Sequence, residues 1–232
     1  MKKSFLLPVA SATICCAAAF AGAPSDVAEK AMEGYRLFVR DSLPGDRADG
    51  YAMMLGAAWE GDAKAANNIG WLLEKGEYVD KDPAGALRWY ERAARQGLPA
   101  AALNYVELLF SAPAELGLLP ADAATVADAA FIAGRACAMG RGLPADYRMA
   151  EKLLMRAALL GNEEAAIMIA QQLEMYPDSF SSLPLADMIK QCDRLLPEEK
   201  RNCRDGQTAE ALAGDVLDPA FWYARASLPA VN

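Results

Sequence analysis

Two stretches of this 232-residue chain are the same pattern written twice, displaced by 64 positions. Residues 65–97 read AANNIGWLLEKGEYVDKDPAGALRWYERAARQG, and residues 129–161 read AAFIAGRACAMGRGLPADYRMAEKLLMRAALLG. Without a gap, Ala65, Ala66, Gly70, Gly76, Asp82, Ala86, Arg92, Ala93, Ala94 and Gly97 fall on identical residues, Val79 falls on Leu143 and Leu73 on Cys137. The chain is rich in alanine, with 49, but that abundance does not align glycines and an aspartate. A repeat of this length marks a stacked architecture.

Each copy parses as two helices. In the first, Ala66, Ile69, Gly70 and Leu73 lie at i, i+3, i+4 and i+7, a single small and apolar stripe. Gly76 stands where the chain leaves that helix, at a position glycine fills cheaply in a left-handed conformation. Asp82 is placed to cap the second helix, with Pro83 in its first turn. Ala86, Tyr90, Ala93 and Ala94 form the second stripe, and Gly97 ends the unit. Neither stripe can be buried within one hairpin, so neighbouring hairpins must stack.

Half-units extend the pattern at a spacing of 36. Asp46, Ala57, Ala58 and Gly61 precede Asp82, Ala93, Ala94 and Gly97 by that distance, which makes DRADGYAMMLGAAWEG an earlier second helix. Ala101, Ala102 and Leu109 follow Ala65, Ala66 and Leu73 by the same step, and Ala165 and Ala166 follow Ala129 and Ala130. Between them SAPAELGLLPAD, with two prolines and a glycine, reads as a degenerate unit and a kink.

These residues resemble the Sel-one-like repeat family, a relative of the tetratricopeptide repeat. Its pattern is matched by Ile69-Gly70, Gly76, Asp82, Ala86, Trp89-Tyr90, Ala93-Ala94 and Gly97. Tyr78 replaces a second glycine, which Gly142 supplies in the later copy, and Leu153-Leu154 replace the aromatic pair. The cysteine pairs that pin hairpins in some exported members are missing. The resemblance implies an all-α, right-handed α-solenoid of antiparallel hairpins, here over 46–178; outside it, a capping helix is expected in 22–45 and a helical cap in 179–232. It also implies a non-enzymatic scaffold for protein–protein interaction.

The first residues read as an export signal: Lys2 and Lys3, an apolar run from Phe5 to Ala19, and cleavage after Ala21 at Ala19-Phe20-Ala21. The run is shorter than the ~20 residues of a spanning helix, so the expectation is a periplasmic or secreted chain with no membrane insertion after cleavage. Lys+Arg number 23 and Asp+Glu 31, and the signal removes two of the bases, which argues against nucleic acid. Of five cysteines, Cys137, Cys192 and Cys203 remain, and no C-x-x-C supports zinc. Cys192 and Cys203 flank a helix-turn-helix with Pro197 at its bend, and a disulfide is expected there, worth about 3 kcal/mol in the chain-entropy model. Cys137, on an apolar stripe, reads as a buried thiol.

Histidine is absent, which removes Ser-His-Asp and Cys-His nucleophiles and His-ligated metal. No metal and no cofactor is expected. Ser-x-x-Lys, the tetrad of a penicillin-type hydrolase, does not occur in the mature chain. What remains is a binding surface. On the first helices, the face away from the core carries Lys64, Asn67, Asn68, Trp71 and Lys75, then Leu103, Asn104 and Glu107, then Phe131 and Arg135, then Met168 and Gln171. Trp, Arg and Met beside asparagines are interface material, so these residues are read as a concave face for a protein or peptide. The alternative for Trp71 is filler between hairpins. Whether the chain is an adaptor, an immunity protein plugging a toxic effector, a structural envelope component or, without that tetrad, a cell-wall or penicillin-type hydrolase stays open, as do its partner and oligomeric state.

Overall fold

A computed structural model describes residues 25–111, 122–203 and 207–226. The expected signal (1–21) and most of the SAPAELGLLPAD segment lie outside these residues, as do the last six. The described residues are all-α: eleven α-helices, one 3₁₀ turn at Glu198–Lys200, and no strand. They fall into two compact units. The first holds α1 (Ser25–Arg40), α2 (Asp46–Trp59), α3 (Ala63–Lys75), α4 (Pro83–Ala94) and α5 (Pro99–Ser111). The second holds α6 (Ala123–Met139), α7 (Tyr147–Leu159), α8 (Glu163–Met175), α9 (Leu185–Asp193), α10 (Ala209–Asp215) and α11 (Pro219–Ala226).

Helix ends fall where the sequence punctuates them. Asp82 accepts from the Gly85 amide at 2.8 Å and Asp146 from Met149 at 3.0 Å, each satisfying an amide that the first turn of α4 or α7 would otherwise orphan. Asp62, Asp122 and Asn162 do the same for α3, α6 and α8. Gly76 and Gly140 close α3 and α6 in the left-handed region, at φ 71° and 63°. The turn that follows is closed alike in both copies: Asp82 N donates to Leu73 O at 2.9 Å and Asp146 N to Cys137 O at 3.0 Å.

In the first unit each helix packs on the next, and α3 also touches α1 and α5, which is the stacked-hairpin arrangement of a solenoid. Val27, Ala31, Met54, Ala57, Ala58, Ala65, Ala66, Ile69, Leu72, Ala93 and Ala101 form one buried cluster. Alanine at these sites lets helix axes approach. Gly70 carries this furthest: a Cβ there would stand 2.8 Å from the Tyr90 ring, whose side chain is fully buried. Leu72 is buried and Leu73 half-buried, so the stripe read as ending at Leu73 turns toward its neighbour at Leu72.

In the second unit α6, α7 and α8 repeat the pattern, with Gly134 against Leu154 in place of Gly70 against Tyr90. α11 packs on α8. Trp222 is fully buried there, its indole N–H donating to Val216 O at 2.7 Å. The expected Cys192–Cys203 disulfide is not formed: Cys137, Cys192 and Cys203 are free. The loop between the latter two is instead gathered by Asp193, whose carboxylate accepts from Asn202 N (2.7 Å), Asn202 Nδ2 (2.6 Å) and Cys203 N (3.0 Å). Burial pushes the Cys192 thiol up to about 12 despite the nearby Arg156 and Arg225 guanidiniums, and Cys203 is also raised, by desolvation and then by its hydrogen bond to Asp193.

Candidate interaction surface

The surface on α3 and α5 is assembled by helical periodicity. With Ala65, Ala66, Ile69 and Gly70 turned inward, Lys64, Asn67, Asn68, Trp71 and Lys75 must occupy the remaining arc of α3. Trp71 is 41 % exposed. Asn67 and Asn68 are half-buried beside it. α5 contributes Leu103, Asn104 and Glu107, all half-buried, and Asn104 Nδ2 donates to Asn67 Oδ1 at 3.0 Å. That bond ties the two helices and orients the Asn67 amide. Lys75 is held at the edge by Glu74 at 2.6 Å, the same carboxylate that accepts from Tyr90 Oη at 2.8 Å. Burial, and then that bond to Glu74, drive the Tyr90 phenol well above its ordinary range. A core tyrosine thus anchors an acid at the margin of the surface.

In the second unit Arg135 is exposed and its guanidinium lies 5.4 Å from the centre of the half-buried Phe131 ring, a cation–π pair along α6. Met168 and Gln171 are half-buried on α8, whose first turn is joined to α6 by Asn162 Nδ2 donating to Asp128 at 3.1 Å. Among the described residues no group of three or more His, Cys, Asp or Glu side chains is placed to hold a metal ion, and no helix is long and apolar enough to cross a membrane.

Compared with known families, residues 63–98 and 127–162 match the Sel1 repeat. Chitin synthase regulatory factor 3 of Schizosaccharomyces pombe is 49 % identical over 45 residues, 19 % of this chain and 5 % of that protein, so the match spans a small fraction of the relative's length. Among solved structures, a Sel1 repeat protein from Oxalobacter formigenes is 24 % identical, with 65 % of this chain and 90 % of that one covered at a TM-score of 0.33. A protective antigen of uropathogenic Escherichia coli with an SLR fold is 18 % identical, with 87 % and 53 % covered at 0.32. Sel1 repeats are in general non-enzymatic modules of protein–protein interaction.

A cleft that the sequence reading passed over lies between Trp59 and the first matched stretch. Trp59, at the end of α2, is 63 % exposed and meets Trp89 of α4 edge-to-face with ring centres 4.7 Å apart. Arg92 lies 5.2 Å from the Trp59 ring and donates to Trp59 O at 2.8 Å. With Leu73, Arg88 and Arg95 these residues line a groove of about 590 Å³. Trp89 is half-buried, because its neighbour is a tryptophan at the surface. In the second matched stretch the corresponding arginine, Arg156, is buried and donates to Gln191 at 3.3 Å.

Proposed function

We propose that this chain is an exported, periplasmic or secreted adaptor or regulator that binds a protein or peptide partner on the α3–α5 face. The observation that carries the reading is Trp71: a large indole, 41 % exposed, between the polar pair Asn67–Asn104 and the Lys75 ammonium. An exposed tryptophan ringed by hydrogen-bonding groups supplies apolar contact and direction at once, the composition of a binding hot spot. The paired Asn67 and Asn68 amides can each donate and accept, which suits a partner's main chain.

The test is Trp71→Ala, with the partner captured by a photo-crosslinking residue placed at Asn68 in the living cell. Removing the indole should weaken capture at least ~tenfold, since such anchors are worth about 2 kcal/mol or more. Because Trp71 lies outside the buried cluster, the melting temperature should stay within a degree or two. A large fall in melting temperature with undiminished capture would make Trp71 a structural residue and remove the reading.

A further inference from the structure

Helix α1 carries two apolar stripes. The first, Val27, Ala31, Gly34 and Phe38, faces the rest of its unit: Val27 and Ala31 join the buried cluster, and a Cβ on Gly34 would stand 2.8 Å from that of Met53 on α2. The second lies about a quarter-turn round the helix and consists of Ala28, Met32, Tyr35 and Val39, spaced by four, three and four residues. Its three large members are open to solvent, Met32 at 54 %, Tyr35 at 51 % and Val39 at 61 %, and Leu43 just past the helix is 64 % exposed. Single exposed apolar side chains are ordinary, but a row of them in helical register is a seam. An inner helix such as α3 has packed neighbours both before and after it in the stack; α1 has them, among the described residues, only after it.

We infer that this stripe is a self-association surface, and that its occupant is α1 of a second copy of this chain, packed antiparallel. The four-three-four spacing is that of a two-helix seam. A two-fold axis through its middle sets Met32 opposite Tyr35 and Ala28 opposite Val39 of the second copy, a small residue against a branched one. The charges choose the direction. On the flank away from the core stand Glu29 and Arg36, one heptad apart, and Arg36 makes an exposed ion pair at 3.6 Å with Glu33 of its own helix, which a contact with a second copy would share or replace. Antiparallel pairing brings Glu29 of each copy to Arg36 of the other on one side of the seam, whereas parallel pairing puts the two copies of this flank on opposite sides of the seam, where Glu29 and Arg36 do not meet. Such a contact is isologous and closes at two chains. One helix of 16 residues buries an area at the low end for a specific interface, so the dimer is weak and concentration-dependent. No residue of the α3–α5 face takes part, so the two proposals stand or fall separately.

Sedimentation velocity of the full chain as purified, from low micromolar to a few hundred micromolar, tests it. The expected result is a monomer–dimer equilibrium that Val39→Glu weakens by more than ~tenfold. Glu29→Arg and Arg36→Glu should each weaken it about tenfold, and the double variant Glu29→Arg/Arg36→Glu should return it to the original strength, because reversed charges again oppose each other. All three positions are exposed, and circular dichroism melts check that folding is unchanged; should Val39→Glu not fold, the charge exchange carries the test alone. A monomer at every concentration overturns the proposal, which is also the result if other residues or a foreign protein cover the stripe. So does a dimer indifferent to Val39→Glu, or a double variant as weak as the single ones.

Discussion

At the scale of single residues the most telling contact is Gly70 against Tyr90. A methyl group on Gly70 would stand 2.8 Å from two ring carbons, and the ring has nowhere to go, since Tyr90 is buried and held through its hydroxyl by Glu74. Gly70→Ala should therefore destabilise by about 1–3 kcal/mol despite the better helix propensity of alanine. Gly134→Ala should cost less, because the nearest atom is Leu154 Cγ at 3.1 Å, at the flexible part of a side chain. Urea titrations of the two variants measure the difference, and equal losses would mean that Tyr90 is not the rigid wall it is taken for. Tyr90 also makes stability depend on alkali. Its ordinary value is 10.0, and the folded protein holds the phenol proton more tightly than the unfolded chain does. That contribution is whole below pH 10 and is lost as pH rises past it, since only the unfolded chain then ionises readily. Tyr90→Phe should flatten the fall in melting temperature above pH 10, and a variant with the same alkaline slope as the parent would count against the assignment.

At the scale of elements, much was legible and the reasons are local. Asp82 and Asp146, Gly76 and Gly140, and the paired alanines act through their own backbone or the nearest helix, so they mark helix ends and stripes wherever they occur. Asp146→Ala should remove a cap and cost about 1 kcal/mol, read as a lower urea midpoint, with Asp146→Asn retaining most of it. What was not legible depends on a second element. The Trp59–Trp89 pair joins the end of α2 to the middle of α4, and Trp59 stands where the matching position of the next unit holds Arg95, so no recurrence announces it. Arg92 and Arg156 occupy one repeat position, yet one lies over tryptophan rings at the surface and the other is buried beside Gln191. The Cys192–Cys203 disulfide is not shown by the structure, which has both cysteines free. Spacing brought Cys192 and Cys203 near in sequence, but the Asp193 carboxylate, with three bonds to Asn202 and Cys203, closes the loop by another means. On the candidate surface the residue types were readable, while the Asn67–Asn104 bond that fixes one amide was not.

At the scale of the whole molecule, function rests on what the repeats do not share. Most positions common to the two copies pack, cap or end helices, and the outer arcs differ: Asn67, Asn68 and Trp71 in one answer to Phe131, Ile132 and Arg135 in the other. A partner therefore meets different chemistry in each unit. Export is tested at this scale: cell fractionation followed by amino-terminal sequencing should find the chain in the periplasm or the medium, beginning at Gly22, whereas a cytoplasmic chain retaining Lys2 and Lys3 would remove the exported reading. The glycine–tyrosine fit has one more consequence. Both first helices keep the glycine, but only α3 has an acid, Glu74, one helical turn on to receive a phenol; α6 has Ala138 there. The hairpins are thus interchangeable parts in one direction only. α7, bringing Leu154, would seat on α3 with no polar group buried unmet, whereas α4, bringing Tyr90, would carry a hydroxyl to α6 and find a methyl group.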